Sequence, residues 1–169
     1  MSGVPDDTLL GTWYLREAYA VDPRGERLFD VYGARPSGVI HYGADGRMTA
    51  LITHDGRARL SGSDRQDATD AESAAAYRSS IGYAGRYVRE GDWIVHHVDV
   101  SSYPNWVGTR LRREVRLAGD TVELRTAPQP QAGVETVLKL VWQRAPSGWM
   151  PCPNPFEHPP HRPRHDQAF

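Results

Sequence analysis

Residues 92–108, DWIVHHVDVSSYPNWVG, decide how this chain is read. Ile94, His96, Val98 and Val100 fall in one phase of a period-two pattern, and Val95, His97, Asp99 and Ser101 fall in the other. Such a run is a strand with side chains on alternate faces. The first phase is the more apolar and is taken as inward. The strand stops at Tyr103-Pro104-Asn105-Trp106, where Pro104 cannot donate to a ladder, and Gly108 releases the chain into the next strand. An inward histidine beside an Asn-Trp corner suits a ligand cavity. It is also what the rim of an ordinary sheet contains.

Working outward, turns at Glu90-Gly91-Asp92 and Ala118-Gly119-Asp120 join strands expected over 83–89, 93–101, 109–117 and 121–126, with a further strand over 134–144. Upstream, 10–21 reads as a strand with Trp13, Leu15, Glu17 and Tyr19 on one face and Tyr14, Arg16 and Ala18 on the other. The turn Asp22-Pro23-Arg24-Gly25 has a type I pattern and leads to a short strand over 26–31. Strands 37–42 and 47–54 form a hairpin across Ala44-Asp45-Gly46. Short strands joined by tight turns predict an all-β, closed antiparallel meander barrel of about nine strands, which removes its own edges. Its interior can hold one small ligand.

One helix interrupts the strands. Thr69-Asp70-Ala71-Glu72 fits a capping box and the helix should run to about Ser80, with Ala74, Tyr77 and Ile81 on one face. It is expected to close one end of the barrel, as a structural plug or as a functional lid. Residues 145–169 contain PCPNPFEHPPHRPRH, too proline-rich for helix or central strand. This tail should run extended, with Trp149 and Phe156 as the residues that would dock it. The expectation is a single domain over 1–169, with the barrel core at about 9–144.

Composition narrows the function classes. The chain has 169 residues, net charge −1 and 24% charged residues, so it lacks the basic excess that a nucleic-acid partner demands. Apolar residues make up 39% and mean hydropathy is −0.59. Apolar runs are only a few residues long, far short of the ~20 of a membrane helix. The N-terminus MSGVPDDTLL is not read as a signal peptide. The single cysteine, Cys152, rules out an internal disulfide and a cysteine-rich zinc site. A reducing cytoplasm is the simplest home, and a homo-oligomer is compatible with this composition. No phosphate loop, dinucleotide fingerprint or serine elbow is present, and no cofactor is expected.

Taking the apolar phase of each strand as inward places Glu17, Tyr19, His54, Tyr83, Tyr87, His96, Thr109 and Arg113 toward the cavity. Val39-Ile40-His41-Tyr42 does not reveal its phase, so either His41 or Tyr42 would join; His41 is counted with this set, as is Trp106. A lone charge inside a barrel is costly unless paired or wetted. Glu17 and Arg113 could therefore neutralise each other, or Arg113 could meet an anionic or enol oxygen of a ligand. His96 reads either as a proton carrier on the cavity wall or as a core histidine satisfied by a tyrosine hydroxyl. His97 must point the other way, which disfavours a His96–His97 metal pair. His158, His161 and His165 in the tail match no zinc spacing, and Cys152, between two prolines, is a poor nucleophile. No metal site is expected.

Gly11-Thr12-Trp13 resembles the G-x-W signature of lipocalins, whose tryptophan packs across the closed end under an arginine from the last strand. Arg144, in Val141-Trp142-Gln143-Arg144, occupies the matching position. With TWYL, YGADGRMTA, YAGRY, HHVDVS and PNWVGT in this order, about residues 9–144 resemble the bacterial and fungal lipocalin-like domain family. The resemblance implies a calycin-type barrel of roughly eight to ten strands with an internal pocket. Such domains are often encoded beside polyketide or other secondary-metabolite pathways, and relatives include carriers and cofactor-free cyclases and isomerases. The expectation drawn is a cofactor-free cyclase or isomerase acting on a hydrophobic polyketide-like metabolite. In it, His96 and Arg113 are the catalytic candidates, joined by a tyrosine, polarising a carbonyl or moving a proton. The alternative is a non-catalytic carrier for a small hydrophobic ligand. Fold does not choose between them.

Overall fold

The computed structural model describes residues 8–131 and 133–146. The tail beyond Pro146, with Trp149, Cys152, Phe156 and its three histidines, lies outside these residues, as do the first seven. Ten strands occur in chain order: β1 Gly11–Val21, β2 Arg27–Asp30, β3 Ser37–Tyr42, β4 Arg47–Thr53, β5 Ser80–Glu90, β6 Trp93–Ser101, β7 Arg110–Ala118, β8 Thr121–Arg125, β9 Gln129–Gln131 and β10 Val134–Arg144. One helix, α1 Asp70–Arg78, lies between β4 and β5.

The sheet order is β2-β1-β3-β4-β5-β6-β7-β8-β10-β9, and β1 also pairs with β10. Eight antiparallel strands therefore close on themselves. The closing seam runs from Trp13 opposite Arg144 to Val21 opposite Val137. Two short strands, β2 and β9, hang on the outer ends of β1 and β10. The second of these was not among the expected strands, and it carries a proline, Pro130. Pro130 is accommodated because its strand is an edge, where a missing N–H costs no ladder bond.

The tight β3–β4, β5–β6 and β7–β8 turns lie at one end, with the G-x-W tryptophan. Trp13 is fully buried, and its Nε1 donates to the Leu9 carbonyl at 2.9 Å. The Arg144 guanidinium lies 4.0 Å from the centre of the Trp13 ring and donates to the carbonyls of Leu10 (2.8 Å) and Thr8 (2.7 Å). One cation thus covers the ring and ties the incoming chain over the barrel floor. Above it Leu9, Tyr42, Met48, Ile94, Val122 and Trp142 form the buried core.

The longer connections gather at the opposite, open end. The α1 capping box forms as expected: the Glu72 N–H donates to Thr69 Oγ1 at 3.2 Å, and the Thr69 N–H donates to Glu72 Oε2 at 2.9 Å. The bonds that the Glu72 carboxylate accepts from the Thr69 and Ser61 N–H groups hold it down to about 2. The helix neither plugs nor lids the barrel. None of its residues is buried and none lines the cavity. Its alanines offer too narrow an apolar stripe to dock, and Tyr77 stays half exposed. Polar ties to the preceding loop hold it instead, as where Arg57 Nε donates to Ser79 Oγ at 3.1 Å.

Two irregularities in the ladders decide which side chains face inward. The β1–β10 register shifts between Leu15 and Glu17, and the β5–β6 register shifts between Ala84 and Gly85, opposite Val98 and Val100. At the second, a Cβ on Gly85 would lie 1.9 Å from the His97 carbonyl oxygen. The backbones approach too closely there for any other residue.

Candidate functional site

A cavity of about 230 Å³ occupies the barrel between the packed core and the open end. Ile52, Ile81, Leu111, Leu138 and Leu140 supply its apolar wall, and Tyr32, Trp106 and Trp142 its aromatic surfaces. Its polar groups are Tyr83, His96, Arg113, Thr126 and Gln129, and among the described residues no carboxylate lines it. The volume lies below the ~300 Å³ at which sites for drug-sized ligands begin, so a compact molecule fits best.

His96, from the middle of β6, is fully buried. Its Nε2 lies 2.9 Å from the Tyr42 hydroxyl of β3, and its Nδ1 lies 3.1 Å from the Tyr83 hydroxyl of β5. The two tyrosine rings flank the imidazole at centroid distances of 5.7 and 5.8 Å. Desolvation, with the positive charge of Arg113 nearby, pushes the His96 pKa down to about 3. The imidazole is therefore neutral around pH 7, with one nitrogen donating and the other accepting. Burial raises the Tyr83 hydroxyl to about 12 and Tyr42 well above its ordinary range. All three groups are uncharged at neutral pH.

Donor direction follows from what else each tyrosine can reach. Tyr42 is fully buried, and among the described residues His96 Nε2 is the sole partner of its hydroxyl. If Nε2 carried the proton, the Tyr42 O–H would be left buried and unpaired, a cost of about 1–3 kcal/mol. Tyr42 therefore donates to Nε2, Nδ1–H donates to Tyr83, and the Tyr83 proton is left to point at whatever occupies the cavity.

Arg113, on the inner face of β7, is half-buried. Its Nη1 donates to the Arg112 carbonyl at 2.9 Å, and among the described residues no carboxylate pairs with it. Trp142 is fully buried on the opposite wall, and its indole N–H has no partner among the described residues. Trp106 stands edge-on to Tyr83 at 5.5 Å, held by the tight helical turn Pro104–Trp106. The Thr109 hydroxyl fastens that turn by donating to the Trp106 carbonyl at 2.7 Å. Among the described residues, no three of His, Cys, Asp and Glu gather closely enough to hold a metal ion.

Residues 10–145 match the profile of the lipocalin-like domain. The chain belongs to the lipocalin-like domain family. One curated relative is the 4'-hydroxy-3'-methoxypropiophenone carrier protein of Aspergillus oryzae, 33% identical over 108 residues, which are 59% of this chain and 97% of the relative.

In this lipocalin-like barrel the residues expected at the cavity divide into two groups. His96, Tyr83, Arg113 and Trp106 line it together. Tyr87 is buried but turned toward the floor, where its hydroxyl donates to the Gly43 carbonyl at 2.9 Å and its ring meets Tyr42 edge-on at 4.9 Å. His54 sits behind the lining, edge-on to Tyr32 at 5.2 Å.

Four others lie elsewhere. The shift after Leu15 takes Glu17 and Tyr19 to the outer face and brings Ala18 and Ala20 inside. Glu17 pairs with Arg27 at 2.9 Å rather than with Arg113, and Tyr19 lies 4.2 Å beneath the same guanidinium. His41 is exposed, its Nδ1 3.0 Å from Thr12 Oγ1, because Ile40 and Tyr42 take the two inward-packed positions beside it. Thr109 is exposed and serves the Trp106 turn. On β6, His97 lies opposite to His96 as alternation requires. Val100, expected inward, is 61% exposed, because the β5–β6 shift reverses the phase after Val98.

The expected set lacked Tyr32 and Trp142, and of the alternatives His41 and Tyr42 it counted His41, whereas Tyr42 is the one turned inward. A sequence signal existed for Trp142: Leu138, Leu140 and Trp142 alternate along β10 as an inward apolar phase. None existed for Tyr32, which reaches the cavity from a loop.

Proposed function

We propose that this lipocalin-like domain is a carrier for a compact, largely apolar aromatic ketone, binding it in the barrel cavity without transforming it, in a pathway of secondary metabolism. The single observation that carries this reading is the cavity itself: about 230 Å³, apolar and aromatic on most sides, with a few fixed donors along one wall. The similarity to a relative named as the carrier of a hydroxy-methoxy-propiophenone supports both the function and the ligand class.

The cyclase or isomerase reading asks His96 to move a proton. With both ring nitrogens held by tyrosines and its pKa near 3, His96 is a weak base at neutral pH. Its hydrogen bonds suit holding a dipole better than exchanging protons, which favours the carrier.

The test is titration of the full chain with 4'-hydroxy-3'-methoxypropiophenone, followed by tryptophan fluorescence, because Trp106 and Trp142 line the cavity. Saturable binding of one molecule per chain is expected, with the ligand recovered unchanged by mass spectrometry. Leu140→Trp should fill the cavity and abolish binding while the fold, read by circular dichroism, remains. Conversion of the ligand, or binding that survives in Leu140→Trp, would overturn the proposal.

A further inference from the structure

Two groups of the cavity's polar wall, Tyr83 and Arg113, present donors to it. With Tyr42 donating to Nε2, the Tyr83 oxygen accepts from His96 Nδ1–H, which leaves its own proton for an acceptor in the cavity. Arg113 supplies N–H groups and a full positive charge, with no carboxylate to neutralise it among the described residues. Among the described residues, the rest of the lining offers no competing anion.

A cation in a mostly apolar chamber is unfavourable until an anion joins it, and it discriminates strongly between a charged and a neutral acceptor. The apolar remainder excludes small, strongly hydrated anions such as phosphate, which would lose hydration with little in return. What fits is an organic molecule with delocalised charge on one oxygen.

We propose that the cavity takes its ligand in the ionised form, as a ring-conjugated phenolate or enolate whose oxygen sits between the Tyr83 hydroxyl and the Arg113 guanidinium. This deepens the carrier reading and rests on it. Binding releases the ligand's proton to solvent and involves no covalent step. Across the described residues, the titratable or charged groups facing that oxygen are Tyr32 from the loop before β3, Tyr83 from β5, His96 from β6 and Arg113 from β7, with Tyr42 of β3 acting through His96. The lining residues of β4, β8 and β10 carry no titratable side chain. The ligand's own hydroxyl is therefore the group whose ionisation sets the pH profile near neutrality.

The experiment compares two probes on the full chain: vanillin, an acidic phenol, and its methyl ether, 3,4-dimethoxybenzaldehyde, which cannot ionise. Vanillin should bind about tenfold tighter, the scale of one charge-assisted hydrogen bond. At a pH below its own pKa, bound vanillin should show the red-shifted phenolate absorption band. Arg113→Met should abolish that band and bring vanillin's affinity down to that of the ether, Arg113→Lys should keep the band, and Tyr83→Phe should weaken vanillin more than the ether. Equal affinity for the two probes with no phenolate band would overturn this proposal and leave the carrier reading standing. Failure of both probes to bind would overturn both.

Discussion

The two ends of this barrel solve the same problem in opposite ways. At the floor, the polar groups that anchor the signature have partners within the chain. The Trp13 indole meets the Leu9 carbonyl, and Arg144 meets the carbonyls of Leu10 and Thr8 and covers the Trp13 ring. In the upper chamber the polar groups are left incomplete. Among the described residues the Tyr83 proton and the Trp142 indole N–H lack an acceptor of their own, and the Arg113 charge, bonded only to a backbone carbonyl, lacks a carboxylate. Satisfied donors specify and stabilise a structure, whereas donors held in place without acceptors are a demand on a ligand. The fold is anchored at one end so that the other can remain unfilled.

The largest effect should come from the floor. Trp13→Ala removes a fully buried ring and the stacking surface of Arg144, and should cost about 3–5 kcal/mol in urea unfolding. If it cost less than a cavity-wall substitution such as Ile81→Ala, the division into anchor and chamber would fail.

Acid should destabilise the chamber. The His96 pKa of about 3 in the folded chain lies below its ordinary 6.5, so between these values the unfolded chain binds a proton that the folded chain does not. The stability His96 contributes is fully present above pH 6.5 and is lost as pH falls toward 3. At ~1.4 kcal/mol per pH unit, roughly 3 kcal/mol should be gone by pH 4.5. Below that, Glu72, held down to about 2, adds its own loss in the same direction. A His96→Gln variant should show a flatter profile between pH 6.5 and 4.5. An unchanged profile would place the acid sensitivity elsewhere.

The His96 relay should prove asymmetric. Tyr42→Phe leaves a buried ring nitrogen unpaired and should cost about 1–3 kcal/mol. Tyr83→Phe should cost less in stability, because cavity water can meet Nδ1–H, and more in ligand affinity. Equal stability losses in the two variants would contradict the donor direction argued here.

The smallest effect should be at the outer face. Glu17→Gln breaks an ion pair whose partners are about half exposed and should cost under about 0.5 kcal/mol, with ligand affinity unchanged. A marked loss of binding would return Glu17 to the cavity.

How much of this was legible in the residues varies by strand. The inward turn of His96 could be read because Ile94 and Val98 share its phase and the ladder is regular between them. Arg113 could be read for the same reason on β7. Glu17 and Tyr19 could not, because the shift after Leu15 reverses the phase of everything beyond it while the sequence continues to alternate. Val100 was misplaced by the same physics on β6. The helix was legible in extent, since a capping box is a local signal, but not in location: an alanine-rich face carries no address.

By itself the sequence determined the all-β class, the antiparallel meander, the turns, the helix cap and the G-x-W floor with its arginine. All of these rest on interactions between residues near in sequence or on a short signature. Only the tertiary structure decided that eight strands close the ring, that Tyr42 and Tyr83 converge on His96 from two strands, and that Arg113 stands without a carboxylate. Those are contacts between strands whose register depends on single-residue shifts, and backbone crowding of the kind seen where Gly85 meets His97 sets such shifts without disturbing the pattern of apolar residues.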